Sequence, residues 1–161
     1  RGLFTQPSLL LLDEPFSAVD AFTRRRLQDL LLSVSGHHGT TLLLVTHDMG
    51  VVAQTCQRVA VMYAGQIVEM ADKFALFAQP RHPYTVGLLN CVPRVEADGE
   101  VRPLAPIAGS PPDLVNPPSG CRFHPRCPLA SDECKSGAFP LREVGPNHFS
   151  ACIKHDQLVG G

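Results

Sequence analysis

Two acidic residues and a histidine stand directly after two apolar runs, where side chains are well placed for chemistry. Asp13 and Glu14 follow the run at residues 9–12, and His47 follows residues 41–46. Because ligands of open α/β sheets bind at the carboxyl ends of the strands, these side chains are expected to share one edge. Taken alone, however, such an acidic pair is more often a turn, and such a histidine is more often structural.

Four of the six cysteines form a second group late in the chain. Zinc sites favour shorter cysteine pairs, and disulfides need an oxidising compartment. An iron–sulfur cluster held by four thiolates tolerates irregular spacing. From the residues alone, a [4Fe–4S] cluster, zinc and free thiols without a metal all remain open. The spacing is C-x5-C-x6-C-x17-C, at Cys121, Cys127, Cys134 and Cys152.

The apolar patterns around these residues predict strands of an α/β fold. Residues 9–12 form an uninterrupted apolar run, typical of a parallel strand covered on both faces, and residues 41–46 predict a second buried strand. Residues 59–63 and 66–70 flank the turn Ala64-Gly65 and predict a hairpin. Strands that alternate with helices imply parallel βαβ units, so a partial parallel sheet with helices is expected.

Capping residues predict the helices of this first region. Asp20 is suited to cap a helix over residues 21–35, which Gly36 and Gly39 would end. Asp48 can cap a short helix that reaches about residue 55.

The composition changes partway along the chain and predicts two regions. Only three of the 15 prolines precede residue 83, and five of the six cysteines follow residue 90. Residues 1–72 are the ordered α/β region, and residues 73–161 form an irregular, cysteine-rich extension. Within the extension, helices are expected at residues 72–78 and 84–91, followed by a proline- and glycine-rich loop at 96–120.

The bulk charge and hydropathy of the chain argue against two classes of interaction. The formal net charge is −1, which gives no overall attraction to nucleic acid or to an anionic membrane. No apolar run reaches the roughly 18 residues that a membrane span needs. A nucleic-acid partner is therefore not expected.

Three segments of the first region resemble ABC ATPases. LLLLDEPFSAVD at residues 9–20 resembles the Walker B strand and D-loop, and VTHDM at 45–49 resembles the switch-histidine segment. VAVMYAGQIVEMA at 59–71 is similar to the hairpin that follows them. The resemblance covers residues 8–72 and implies a partial P-loop NTPase sheet that acts on ATP.

The resemblance also implies a role for each polar residue of the edge. Asp13 would hold Mg²⁺ through water, and Glu14 would orient and polarise the attacking water. His47 would contact the γ-phosphate of ATP. Asp20, in the D-loop, would couple two ATP sites across a dimer. These roles are typical of phosphoryl transfer, in which positioning and charge neutralisation dominate.

The extension resembles one group of ABC importers. PRHPYTVGLLNCVPR at residues 80–94 is similar to the segment that marks the dipeptide, oligopeptide and nickel group. GC-x-F-x-x-RC at 120–127 is similar to its C-terminal element, at which some members carry a [4Fe–4S] cluster. Arg122 and Arg126 would then offset the charge of thiolate ligands.

This second resemblance implies an importer ATPase subunit at the cytoplasmic face of the cell membrane. Its partners would be permease subunits, a second ATPase subunit and, indirectly, an extracellular or periplasmic substrate-binding protein. Two alternatives stay open. One is a non-transport ABC ATPase, and the other is a non-enzymatic metal-binding or interaction fragment.

Motifs that such an ATPase needs are absent from the 161 residues. The sequence has no G-x-x-x-x-G-K-[ST] phosphate loop, no LSGGQ-like signature and no Q-loop. A row of backbone N–H groups and a lysine in the phosphate loop would bind the β- and γ-phosphates. The chain is therefore expected to be a C-terminal fragment that is inactive alone and that exposes strand edges and apolar faces.

Overall fold

A computed structural model describes residues 7–93 and 104–158, without the side chains of residues 37 and 38. The chain divides into two compact units, residues 1–55 and 56–161. The hairpin therefore belongs to the second unit, while the functional boundary after residue 72 stays a prediction. Part of the predicted loop, residues 96–103, lies outside the described residues. Within the described ranges, no helix combines the length and apolar character needed to cross a bilayer.

The first unit contains a parallel strand pair and two helices. Strand β1 (Leu9–Asp13) pairs with β2 (Thr41–Val45), with Leu9 opposite Thr41 and Asp13 opposite Val45. Helix α1 (Ala21–His38) connects the two strands, and helix α2 (Met49–Thr55) follows β2. Because the strands are parallel and in register, their carboxyl ends lie at the same edge.

Both predicted N-caps of this unit are present. The carboxylate of Asp20 accepts the backbone N–H groups of Phe22 and Thr23 at the start of α1. Asp48 accepts the N–H groups of Gly50 and Val51 at the start of α2. These bonds satisfy N–H groups that have no partner within the helix.

The predicted C-terminus of α1 at residue 35 was wrong. The helix continues through Gly36 to residue 38 and ends at Gly39, whose φ of 64° is left-handed. A single glycine inside a helix costs only about 1 kcal/mol relative to alanine, so Gly36 does not stop it. Gly39 does, because the left-handed conformation suits a residue without Cβ.

In this chain β1 and β2 are not covered on both faces, and the expected exposure of an apolar face is confirmed. Paired residues of a parallel ladder point to the same side, and one side of this pair faces solvent. The alternate residues on the other side are only half-buried. Among the described residues this sheet has only two strands. Its outer face is not covered by the described part of the chain. The exposed apolar face has fractional exposures of 50–64% at Leu9, Leu11, Leu43 and Val45.

This exposed apolar face should make the 161-residue chain self-associate. Replacing Leu43 and Val45 together by threonine removes exposed apolar surface. Threonine is β-branched and suits a strand, so β2 should still form. We expect markedly less aggregate in light scattering, with the free energy of unfolding changed by about 0.5 kcal/mol or less. Threonine at Leu89, which is 3% exposed, is the control and should lower stability instead. Equal aggregation of the double variant and the parent would contradict this expectation.

The second unit is built on a four-stranded antiparallel sheet. The predicted hairpin is present as β3 (Arg58–Tyr63) and β4 (Gln66–Asp72), and β3 pairs only with β4 among the described strands. Strands β5 (Arg142–Gly145) and β6 (His148–Ser150) complete the order β3-β4-β6-β5. The end of the extension therefore forms a sheet with the hairpin.

Two short helices and an aromatic cluster fill the second unit. Helix α3 (Lys73–Ala78) follows β4 directly, and helix α4 (Pro83–Asn90) begins after a proline-bounded turn. The rings of Tyr63, Tyr84 and Phe123 lie with centroids 4.6–5.4 Å apart. Such contacts add to ordinary apolar burial, so they join the hairpin, α4 and the cysteine-bearing segment.

Candidate functional site

The acidic pair lies at the carboxyl edge of β1 and β2. Asp13 is the last residue of β1 and is exposed. Glu14 follows it, with its backbone N–H donating to the carbonyl of Val45 at 2.9 Å. Its φ of 43° is unusual for a residue other than glycine. Ser17 holds this turn, because its hydroxyl donates to the Glu14 carbonyl at 2.9 Å.

The side chain of Glu14 binds the segment that carries the histidine. Its Oε1 accepts the backbone N–H of His47 at 2.8 Å, and its Oε2 lies 3.3 Å from the Thr46 hydroxyl. That hydroxyl also accepts the N–H of Asp48 at 3.1 Å. The acidic turn and the histidine segment are thus joined by a hydrogen-bonded chain, and the ring of His47 remains exposed.

Asp20 occupies a different place in this unit. It caps α1, and hydrogen bonds from Thr23, first from its side chain and then from its backbone N–H, lower the pKa of its carboxyl. Near the histidine segment, Arg24 and Asp48 form an ion pair at 3.4 Å with both side chains partly exposed. Exposed pairs of this kind contribute about 0–1 kcal/mol.

The edge can therefore present charge to a ligand from solvent. An exposed carboxylate at Asp13 is a ligand that a hard cation prefers. Glu14 is held in place by two hydrogen bonds, which fix its carboxylate relative to the His47 backbone. The charged groups of this edge are therefore held in place before a ligand binds.

The four cysteines line one small cavity in the second unit. Its volume is about 20 Å³, and its other walls include Phe123, Leu129, Phe139 and Ile153. All four thiols are free. Two of the cysteine segments are joined through their backbones, because the N–H of Cys121 donates to the carbonyl of Cys134 at 2.9 Å. The clustering is therefore a property of the fold, although the sequence spacing spreads over 32 positions from 121 to 152.

A glycine makes this backbone approach possible. Gly120 has a φ of 69°, and a Cβ at this position would lie 2.7 Å from backbone atoms of Lys135 and Ser136. Any other residue would force the Cys121 and Cys134 segments apart.

The sulfur atoms are surrounded by hydrogen-bond donors. The N–H of Lys154 donates to the Cys152 sulfur at 3.3 Å, and the backbone N–H of Leu129 acts to lower the pKa of the Cys127 thiol against the effect of burial. The backbone N–H groups of Phe123 and His124 act to lower the pKa of the Cys121 thiol against the effect of burial, and the Ser131 hydroxyl lies 3.7 Å from the Cys134 sulfur. Donors of this kind stabilise thiolates and metal-bound sulfur.

Burial opposes the thiolate form in the metal-free protein. It raises the pKa of the Cys121 and Cys127 thiols, and it is the largest cause of the rise of the Cys152 pKa to about 11, to which the other cysteines also contribute. These thiols are therefore protonated at neutral pH. A bound cation would reverse this preference, because metal ligands are deprotonated.

A four-thiolate metal centre fits the chemistry of this donor set. The four sulfurs share one cavity, and their neighbours are N–H and O–H donors. Within the described part of the chain, however, no three histidine, cysteine or acidic side chains already stand close enough to hold one ion. Holding a single ion would require these side chains to move closer together.

The two arginines of this segment do not face the thiols, contrary to the expectation from sequence. Arg122 donates to the carbonyl of Ala64 in the hairpin turn. Arg126 donates to the carbonyls of Ile107 and Ala108 at 3.0 and 2.8 Å. Guanidinium groups satisfy several acceptors in one plane, so Arg122 fastens the extension to the hairpin and Arg126 joins two segments of the extension.

A buried polar cluster was missed by sequence reasoning. Glu69 is fully buried in β4, and its Oε1 lies 2.7 Å from Nε2 of His148 in β6 and 2.6 Å from the N–H of Arg81. The only available signal was a glutamate in a strand whose pattern otherwise reads apolar. The Glu69 carboxylate connects the hairpin, the turn before α4 and strand β6.

Removing this carboxylate should destabilise the second unit. We expect Glu69→Ala to lower the free energy of unfolding by about 3 kcal/mol, because it leaves a buried histidine and a buried N–H without an acceptor. Glu133→Ala, at an exposed position, is the control and should change it by about 0.5 kcal/mol or less. Urea unfolding measures both, and equal midpoints would contradict the role given to Glu69.

His82 is the cap of α4 and also borders the cysteine cavity. It is 1% exposed, and its Nδ1 accepts the N–H of Tyr84 at 3.1 Å. Burial lowers the pKa of His82 to about 4, so the ring is neutral at neutral pH. Because Nδ1 is an acceptor, the ring proton resides on Nε2.

Comparisons with known proteins identify relatives across almost the whole chain. The oligopeptide transport ATP-binding protein OppD of Escherichia coli (strain K12) is 43% identical over 153 residues, which are 95% of this chain and 44% of that protein. Two Brucella ovis proteins, provisionally named peptide import ATP-binding proteins, are 41% and 42% identical over 96% and 98% of this chain. Each of these two matches covers 48% of the relative.

A family profile matches the junction between the hairpin and the extension. Residues 68–134 match the family described as the C-terminal region of oligopeptide/dipeptide transporters. The chain spans about half the length of the curated relatives it matches. Residues 68–134 are therefore similar to the C-terminal region of oligopeptide/dipeptide transporters, and the chain as a whole is similar to peptide-import ATP-binding proteins.

Proposed function

We propose that these residues are the C-terminal part of the ATP-hydrolysing subunit of an ABC importer for peptides or nickel. In the complete subunit Asp13 holds Mg²⁺ through water, Glu14 orients the attacking water, His47 contacts the γ-phosphate and Asp20 couples two sites. The observation that carries this proposal is the 2.8 Å hydrogen bond from the His47 N–H to the Glu14 carboxylate at the carboxyl edge of a parallel pair.

Alone, the 161 residues neither bind ATP tightly nor hydrolyse it. Asp13 and Glu14 lack a phosphate cradle, since the sequence contains no phosphate-binding loop. Phosphate release and ATP binding by the isolated chain test this statement. The expected result is release at the rate of the buffer blank, and ordinary turnover by the isolated chain would refute it.

The partners are proposed from the resemblance, and the names of the relatives, which are transport and import ATP-binding proteins, support a transporter. The subunit docks on permease subunits at the cytoplasmic face of the membrane, pairs with a second ATPase subunit and acts indirectly with a substrate-binding protein. Affinity purification of the complete subunit from its own cells tests these partners. Permease subunits should co-purify, whereas nucleic acid in their place would favour a non-transport ABC ATPase.

We further propose that the four cysteines hold a [4Fe–4S] cluster, with zinc as the alternative metal. The shared cavity and its N–H donors support this proposal, and the centre would clamp a proline-rich segment that has few apolar residues. Iron, sulfide and zinc analysis of anaerobically purified protein distinguishes the metals. Colourless protein without iron or zinc would refute a metal centre and would favour free thiols.

A further inference from the structure

The ring of His82 has one nitrogen without a partner, at the wall of the four-cysteine cavity. Among the described residues, Nε2 of His82 is buried and makes no hydrogen bond. His82 lines the cavity together with all four cysteines, and its ring packs on Phe123 at 6.0 Å between centroids. A buried N–H without an acceptor costs about 1–3 kcal/mol, so this position calls for an acceptor that the side chains now in place do not supply.

The cavity offers sulfur as that acceptor. The Cys152 sulfur already accepts the N–H of Lys154 at 3.3 Å, and the Ser131 hydroxyl lies 3.7 Å from the Cys134 sulfur. A metal-bound thiolate accepts several such bonds, and groups beyond the ligands tune a metal centre through them. The imidazole N–H of His82, at the start of α4, would be a further donor to a cysteine sulfur.

We propose that His82 donates a hydrogen bond from Nε2 to a cysteine sulfur when the four-cysteine centre is loaded, and so acts as a positioning residue for that centre. The inference rests on the metal centre proposed above. It gives the histidine of the His82-Pro83-Tyr84-Thr85 segment two tasks: Nδ1 caps α4, and Nε2 contacts the centre. The start of α4 is thereby linked to the occupancy of the cavity.

Two substitutions separate these tasks. His82→Asn places an amide oxygen near Nδ1, where it can keep the cap, but it lacks the reach of Nε2. His82→Gln places an amide N–H near the position of Nε2 and can restore the bond to sulfur. His155→Gln is the matched control, because His155 contacts the Cys152 carbonyl at 3.0 Å and is not part of the cavity wall.

The experiment is a redox titration of the full chain after anaerobic reconstitution with iron and sulfide. A hydrogen bond to sulfur favours the reduced, more negative cluster. We therefore expect His82→Asn to lower the equilibrium constant for reduction about tenfold, which is about 59 mV for a one-electron couple. His82→Gln should restore most of this loss, and His155→Gln should match the parent. An unchanged potential in His82→Asn would overturn the role of His82.

A second measurement uses the parent chain alone, so it tests the inference even if His82→Asn does not fold. In the parent chain with ¹⁵N-labelled histidine side chains, the reduced cluster should show one weak ¹⁵N coupling in pulsed electron paramagnetic resonance. A cluster without this coupling overturns the inference and leaves the metal centre standing. A parent chain that takes up no cluster overturns both. His82→Asn could also lower the free energy of unfolding and leave the reduction potential unchanged. That result would give the ring a structural role in the polar core around Glu69, and it would also overturn the inference.

Discussion

Replacing Glu14 by glutamine should lower the ATP turnover of the complete subunit by about 10²- to 10⁴-fold. The glutamine side chain can still accept the His47 N–H, so the hydrogen bond that joins the acidic turn to the histidine segment is kept. What is lost is a charged acceptor that can polarise water. The measurement is phosphate release by a protein in which these 161 residues are joined to the upstream half of the Escherichia coli relative.

The same joined protein supplies the control for this prediction. Glu133→Gln removes an exposed carboxylate far along the chain and should leave turnover unchanged. ATP affinity of Glu14→Gln should stay close to that of the parent, because the effect belongs to the chemical step. Turnover of Glu14→Gln within a factor of about two of the parent would contradict the assignment of Glu14.

The second large effect is expected at the cysteines. Replacing Cys127 and Cys152 by serine removes two of four sulfur ligands, so metal affinity should fall by more than the roughly 10- to 100-fold typical of changes beyond the ligands. The double variant should lose the visible absorbance and the iron of the loaded chain. Its free energy of unfolding should then equal that of the metal-free parent, since metal binding stabilises only the folded state.

Cys91 provides the matched control for the cysteine prediction. It is exposed, and its thiol donates to the Ala105 carbonyl at 3.5 Å, a bond that a serine hydroxyl can make. Cys91→Ser should therefore keep full metal content and stability. Iron retained by the double variant, or iron lost equally in Cys91→Ser, would contradict a four-cysteine centre.

Local signals in the sequence predicted much of the first unit. Asp20 and Asp48 cap helices because a carboxylate next to free N–H groups is a local interaction that needs no tertiary context. The hairpin at residues 58–72 follows in the same way from its alternation and from the turn at Ala64-Gly65. Placing the acidic turn beside the histidine segment needed only the rule that parallel strands end at one edge.

Other features depend on contacts that no local pattern carries. Which face of β1 and β2 is exposed could not be predicted, because an apolar run indicates what a strand could bury and not which elements lie beside it. The buried pair of Glu69 and His148 joins positions 79 residues apart, and its polar residues taken singly resemble surface positions. The arginines of the extension bind carbonyls of the hairpin turn and the 104–109 segment, which only the folded chain brings near.

The central claim is that Asp13, Glu14 and His47 belong to one edge that faces the nucleotide. Paramagnetic broadening by Mn²⁺–ATP, measured on the backbone N–H signals of the joined protein, tests this placement most directly. We expect the signals of Glu14 and His47 to broaden together, and Asp13→Asn to weaken both effects. Broadening of one signal without the other, or identical broadening in Asp13→Asn, would contradict the shared edge.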